Sequence, residues 1–109
     1  MDNAHYEKAD QFLCVIDGGA MIRMVPHVNR QEMYVGEKYT FFHPNREVEN
    51  TVDLEPNESP VNLFKPDYDD YPNVDLISKD RIYKEYLSPG DCVFIPAFYF
   101  YQVAGEGEA

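Results

Sequence analysis

The chain has no tryptophan, two cysteines, and nine Lys plus Arg against 20 Asp plus Glu, a formal charge of −11. The scarcity of bases argues against a phosphate-backbone binder, because such affinity comes largely from Lys and Arg displacing counterions. It also argues against an anionic membrane surface. No apolar run approaches the roughly 20 residues a membrane-spanning helix needs. The N-terminus, MDNAHYEKAD, lacks the basic region and apolar stretch of a secretory signal. Two cysteines are too few for a disulfide scaffold. Cys14 and Cys92 each sit in an apolar run, so they read as free buried thiols in a reducing, intracellular compartment. No three-turn helical periodicity, internal repeat, phosphate-cradling glycine loop or Gly-x-Ser-x-Gly is present.

What is there fits one small domain over 1–109, built from short strands. Nine Tyr and seven Phe supply bulk for a core between two sheets. Gln11–Ile16 and Ala20–Val25 flank Asp17-Gly18-Gly19 and read as a hairpin. One helical turn fits 27–34. Residues 36–58 carry Glu47, Glu49, Asp53, Glu55 and Glu58 with no base after Arg46, the composition of a solvated acidic loop. Order resumes at Pro60–Phe64, with a short helix over 71–79. Alternation over 81–87, the Ser88-Pro89-Gly90-Asp91 turn, and strands at Cys92–Pro96 and Phe98–Val103 complete the pattern. The tail, 104–109, has nothing to bury and reads as flexible. The fold class is all-β, a jelly roll or small barrel.

His5 and Glu7 are the first candidates for chemistry. Residues i and i+2 of a strand share a face, so both side chains point the same way. They supply two-thirds of the His, carboxylate, His facial triad that holds non-haem Fe(II). Met21 and Met24 read as packing residues, and His27 and His43 as solvated loop histidines. Neither cysteine has a cationic neighbour to activate a thiolate.

Ala4-His5-Tyr6-Glu7 with Gln11-Phe12-Leu13 and the Gly18 turn, Ser59-Pro60-Val61-Asn62 leading to Tyr71-Pro72, and the block Leu87-Ser88-Pro89-Gly90-Asp91-Cys92-Val93-Phe94-Ile95-Pro96 before an aromatic cluster together resemble the cupin-like JmjC family, from about residue 4 to residue 103. The resemblance implies a double-stranded β-helix that uses Fe(II) and 2-oxoglutarate to hydroxylate or demethylate a protein. It places His5 and Glu7 at two metal-ligand positions and Tyr101 where the distal histidine belongs. Ala20 stands at the position of the lysine that pairs with 2-oxoglutarate. Arg23, three residues on, belongs to the opposite strand face. Asp2 and Gln11 replace a threonine and an asparagine, and an acidic Asp2 repels a dianion.

A phenol with a pKa of about 10 is a poor Fe(II) ligand at neutral pH, and no histidine follows His43. The expectation is therefore a cupin-like pseudoenzyme: no confident catalytic residue, no cofactor, and a structural or interaction role in a protein assembly. The alternative is an Fe(II)/2-oxoglutarate-dependent hydroxylase or demethylase that takes its third ligand from water or from outside the segment. A third reading is a small-molecule or peptide binding module. Only four residues precede His5, so the strand that normally comes first is missing and Gln11–Ile16 exposes an edge. Either a longer chain or a protein partner covers it. Nucleic acid and membrane insertion are not expected.

Overall fold

The computed structural model describes residues 1–36, 39–42, 49–52 and 54–106, with the backbone alone of 39–42 and 49–52. Its strands are β1 (Gln11–Cys14), β2 (Ala20–Val25), β3 (Tyr39–Phe42), β4 (Glu49–Val52), β5 (Tyr83–Leu87), β6 (Cys92–Ile95) and β7 (Phe100–Gly105). Every pairing is antiparallel: β1 with β6, β5-β2-β7 as a three-stranded sheet, and β3 with β4. Short 3-10 turns at His27–Asn29 and Pro72–Leu76 stand within the stretches expected to be helical, and a third, at Lys79–Arg81, was not expected. The fold is all-β, as composition and turn spacing indicate.

The central sheet is covered on both faces, which follows from the period-2 alternation of β2 and β7. Val25 and Phe100, partners in register, face a cluster with Ala4, Met33, Val61, Leu63, Tyr71, Val74 and Ile77. Met24 and Tyr101, the next pair, face the other way, toward Ile22, Leu87, Val93 and Ile95. Phe100 is wholly buried, and burial of such a side chain stabilises by roughly 3 kcal/mol. Arg23 lies on the Val25 face, donating to the Leu63 carbonyl at 2.9 Å with its guanidinium 5.0 Å from the Phe64 ring centre. Ala20 lies on the opposite face, as expected.

The hairpin expected over 11–25 does not form. The Gly18 turn is real (φ 68°, with Asp17 Oδ1 accepting from the Gly18 N–H). Instead of folding β2 back on β1, it carries the chain from one sheet to the other. β1 finds its partner in β6 and β2 in β5 and β7. The cysteines, expected buried and free, are instead exposed and joined as a disulfide, because that pairing sets Cys14 opposite Cys92. The acidic stretch holds the β3–β4 pair, which its charge had masked; Glu47, His43 and Asp53 lie outside the described residues. The expected flexible tail begins too early. Ala104 is fully buried and Gly105 ends β7, while 107–109 lie outside the described residues.

Candidate functional site

The N-terminal segment runs beside β7. His5 N–H donates to the Tyr101 carbonyl at 3.1 Å and Tyr101 N–H to the His5 carbonyl at 2.9 Å, and His5 also bridges to Glu58 on its other side. Ala4 is wholly buried in the core, and its carbonyl accepts from the Ser59 N–H at 2.8 Å. Buried Gln102 fastens the same segment, its Nε2 donating to the Asp2 carbonyl at 3.1 Å and its Oε1 accepting from Leu63 N–H at 2.7 Å. These ties fix His5 opposite Tyr101.

The side chains of His5, Glu7, Tyr101 and Gln11 come together here. His5 Nε2 lies 3.7 Å from Glu7 Oε1 and 3.1 Å from the Tyr101 hydroxyl, and that hydroxyl is 3.0 Å from Gln11 Oε1. The Asn3 carbonyl, 2.9 Å from His5 Nδ1, only accepts, so Nδ1 carries a proton. Nε2 shares a hydrogen bond with the Tyr101 hydroxyl, which in turn donates to Gln11 Oε1. Burial first, then the Glu7 and Asp2 carboxylates, push the Tyr101 pKa above the ordinary phenol value. The phenol is therefore un-ionised at neutral pH.

Ala20, where the resemblance puts a lysine, is buried at the start of β2 opposite Leu87 and Gly105. Asp2, Glu55 and Glu58 line an open recess of about 490 Å³ beside His5. Among the described residues, no group of three His, Cys, Asp or Glu side chains could hold a metal ion.

Other features escaped the sequence. His27, read as solvated, packs against the rings of Tyr6, Phe98 and Phe100, nearly parallel to the last. Phe98 takes a left-handed backbone (φ 67°), costly for a bulky residue. Its N–H donates to the Glu7 carbonyl at 2.8 Å. The Pro96-Ala97-Phe98-Tyr99 run between β6 and β7 was the available signal, since a chain changing sheets there must turn sharply. A second cleft of about 750 Å³, lined by Met24, Ile82, Tyr83, Val93, Phe94 and Tyr99 among others, opens on the β5–β6 side.

Among the described residues no helix is long and apolar enough to cross a membrane. A model of the cupin-like domain family matches residues 2–109. Two curated proteins are similar. JmjC domain-containing protein F of Dictyostelium discoideum is 29% identical over 100 residues, 91% of this chain and 21% of that protein. tRNA wybutosine-synthesizing protein 5 of Mus musculus is 31% identical over 103 residues, 94% of this chain and 26% of that protein. The chain thus spans about a fifth to a quarter of the relatives it matches.

Proposed function

The chain belongs to the cupin-like domain family, and from that premise we propose that it is a non-catalytic member serving as a structural or protein-interaction part of a larger assembly. The observation that carries this reading is Tyr101: its hydroxyl stands within hydrogen-bond distance of both His5 and Gln11, where a distal imidazole would face a metal. One imidazole, one carboxylate and an un-ionised phenol do not fit the facial Fe(II) triad. Ala20 offers an anionic cosubstrate no cation, and the acidic recess beside His5 repels one. The interaction role draws on β1. Among the described residues it pairs with β6 alone, and Phe12, Phe94 and Ile16 lie exposed beside it.

The test supplies purified protein with Fe(II) and 2-oxoglutarate and measures succinate and bound iron. The expected result is no succinate above background and no stoichiometric iron, with Tyr101→His gaining measurable iron affinity. Iron-dependent succinate formation by the unaltered chain would establish the alternative, in which His5 and Glu7 are ligands. Sizing the native complex with its metal content tests the interaction role: the expected species is large and iron-free, and a lone iron-bearing chain contradicts it. The 750 Å³ cleft favours a second reading, a binding module, since its size and mixed lining suit a small molecule or peptide. Binding without turnover, abolished by Tyr99→Arg at the cleft wall, is what that reading expects.

A further inference from the structure

We propose that Cys14 and Cys92 form a reversible thiol–disulfide clasp, open to small thiols and disulfides, that governs whether β1 stays paired with β6. The register makes the bond easy to form. Val15 N–H donates to the Asp91 carbonyl at 2.9 Å and Gly90 N–H to the Val15 carbonyl at 2.7 Å, so Val15 is a position whose backbone faces β6. Alternation makes the next pair, Cys14 and Cys92, a non-hydrogen-bonded one, where side chains of neighbouring strands approach most closely. Their Cα atoms are 4.0 Å apart. With the strands paired in this register, the two sulfurs are already bonded partners, so a reduced pair is held side by side for reoxidation as long as the ribbon stays closed.

Accessibility makes the bond exchangeable. Both cysteines are exposed on the outward face of the β1–β6 ribbon, the face that also carries the exposed rings of Phe12 and Phe94, 5.4 Å apart. A dissolved thiolate can reach either sulfur, a condition for exchange. In the oxidising direction the two thiols lose two electrons and two protons as the S–S bond forms, and a low-molecular-weight disulfide accepts both and leaves as two thiols. Excess thiol runs the exchange backward through a mixed disulfide.

The bond matters because the ribbon has little else. A two-stranded sheet is marginal by itself, and β6 is the one strand partner of β1 among the described residues. The disulfide joins positions 78 residues apart, so opening it frees a long stretch of chain. β1 also delivers Leu13 to the inner core and Gln11 to the Tyr101 hydroxyl. Reduction therefore loosens the far wall of the His5–Tyr101 network as well as the ribbon.

The experiment equilibrates the full chain, without oxygen, over a range of reduced-to-oxidised glutathione ratios, quenches with an alkylating agent and weighs the products. Two species are expected, doubly alkylated and unalkylated, exchanging in one step. Hydrogen exchange on the two forms should show Leu13 and Val93 amides exchanging at least about tenfold faster after reduction, with β2 amides much less affected. Reduction should lower the melting midpoint by about 10 °C or more, and a Cys14→Ser/Cys92→Ser double variant should melt alike in both buffers. Thiols that stay alkylatable at every ratio, a bond formed only between molecules, or equal β1 protection in both forms overturns the proposal. The exchange measurement is made on the unaltered chain and does not depend on the variant's folding.

Discussion

Tyr101 joins three elements through one oxygen: His5 from the N-terminal segment, Gln11 from β1 and its own strand β7. Tyr101→Phe keeps the ring and deletes the oxygen, leaving His5 Nε2 and Gln11 Oε1 half-buried without that partner. The expected cost is about 1 kcal/mol in urea unfolding. A second consequence is visible in alkali. The folded state holds the phenol proton more tightly than the unfolded chain does, since burial and the Glu7 and Asp2 carboxylates raise its pKa. Stability is thus intact below the ordinary tyrosine value and declines as pH climbs through the raised one. Tyr71, raised by burial and then by Asp70 and Asp67, adds to the same decline. Urea titrations at rising pH should show a shallower alkaline fall in Tyr101→Phe than in the parent. At this scale the spacing of His5 and Glu7 put them on one face, and the family resemblance singled out Tyr101. The Asn3 carbonyl and the Phe98 backbone were not legible, since main-chain partners carry no side-chain signature.

Outside the acidic stretch, the existence of strands was legible and their pairing was not. Gly18 and Gly90 mark real turns with positive φ, and β2 and β6 fall where the apolar runs put them, whereas β7 starts two residues later than the expected Phe98–Val103 because Phe98 turns the chain. The partner of β1, however, depends on contacts about 80 residues away, which a local turn cannot specify. Segment 59–64 illustrates the same limit. It forms no strand, yet it covers the outer face of the central sheet through Val61 and Leu63. Ser59 makes this possible: its fully buried hydroxyl donates to the Met33 carbonyl and accepts from the Val61 N–H at 3.1 Å. Ser59→Ala leaves a buried carbonyl and a buried N–H unpaired, an expected loss of about 1–3 kcal/mol, measurable as a lower denaturant midpoint with unchanged slope. A loss under half that figure would show that the segment is held by its apolar contacts alone.

Across the molecule, a net charge of −11 on 109 residues opposes compaction through self-repulsion. Raising sodium chloride from about 10 mM to about 0.5 M, which shortens the screening length severalfold, should raise the melting midpoint by a few degrees. A fall would show that attractive pairs outweigh the repulsion. Composition revealed this charge at once, but it concealed the β3–β4 pair. β4, Glu-Asn-Thr-Val, gives no apolar alternation to detect, and the aromatic β3, Tyr-Thr-Phe-Phe, was passed over because it lies in the same acidic stretch.

The place of His5 between Glu58 and Tyr101 has a kinetic consequence. Its neighbours on the two sides come from far along the chain, 96 residues away in the case of Tyr101. His5 pairs with a strand that must already be in place, so docking of the first residues belongs late in refolding, after β2 and β7 have met. Stopped-flow fluorescence of the tyrosines should then record a fast phase from the sheet and a slower one that Gln102→Ala, by cutting the tether to Asp2, retards further.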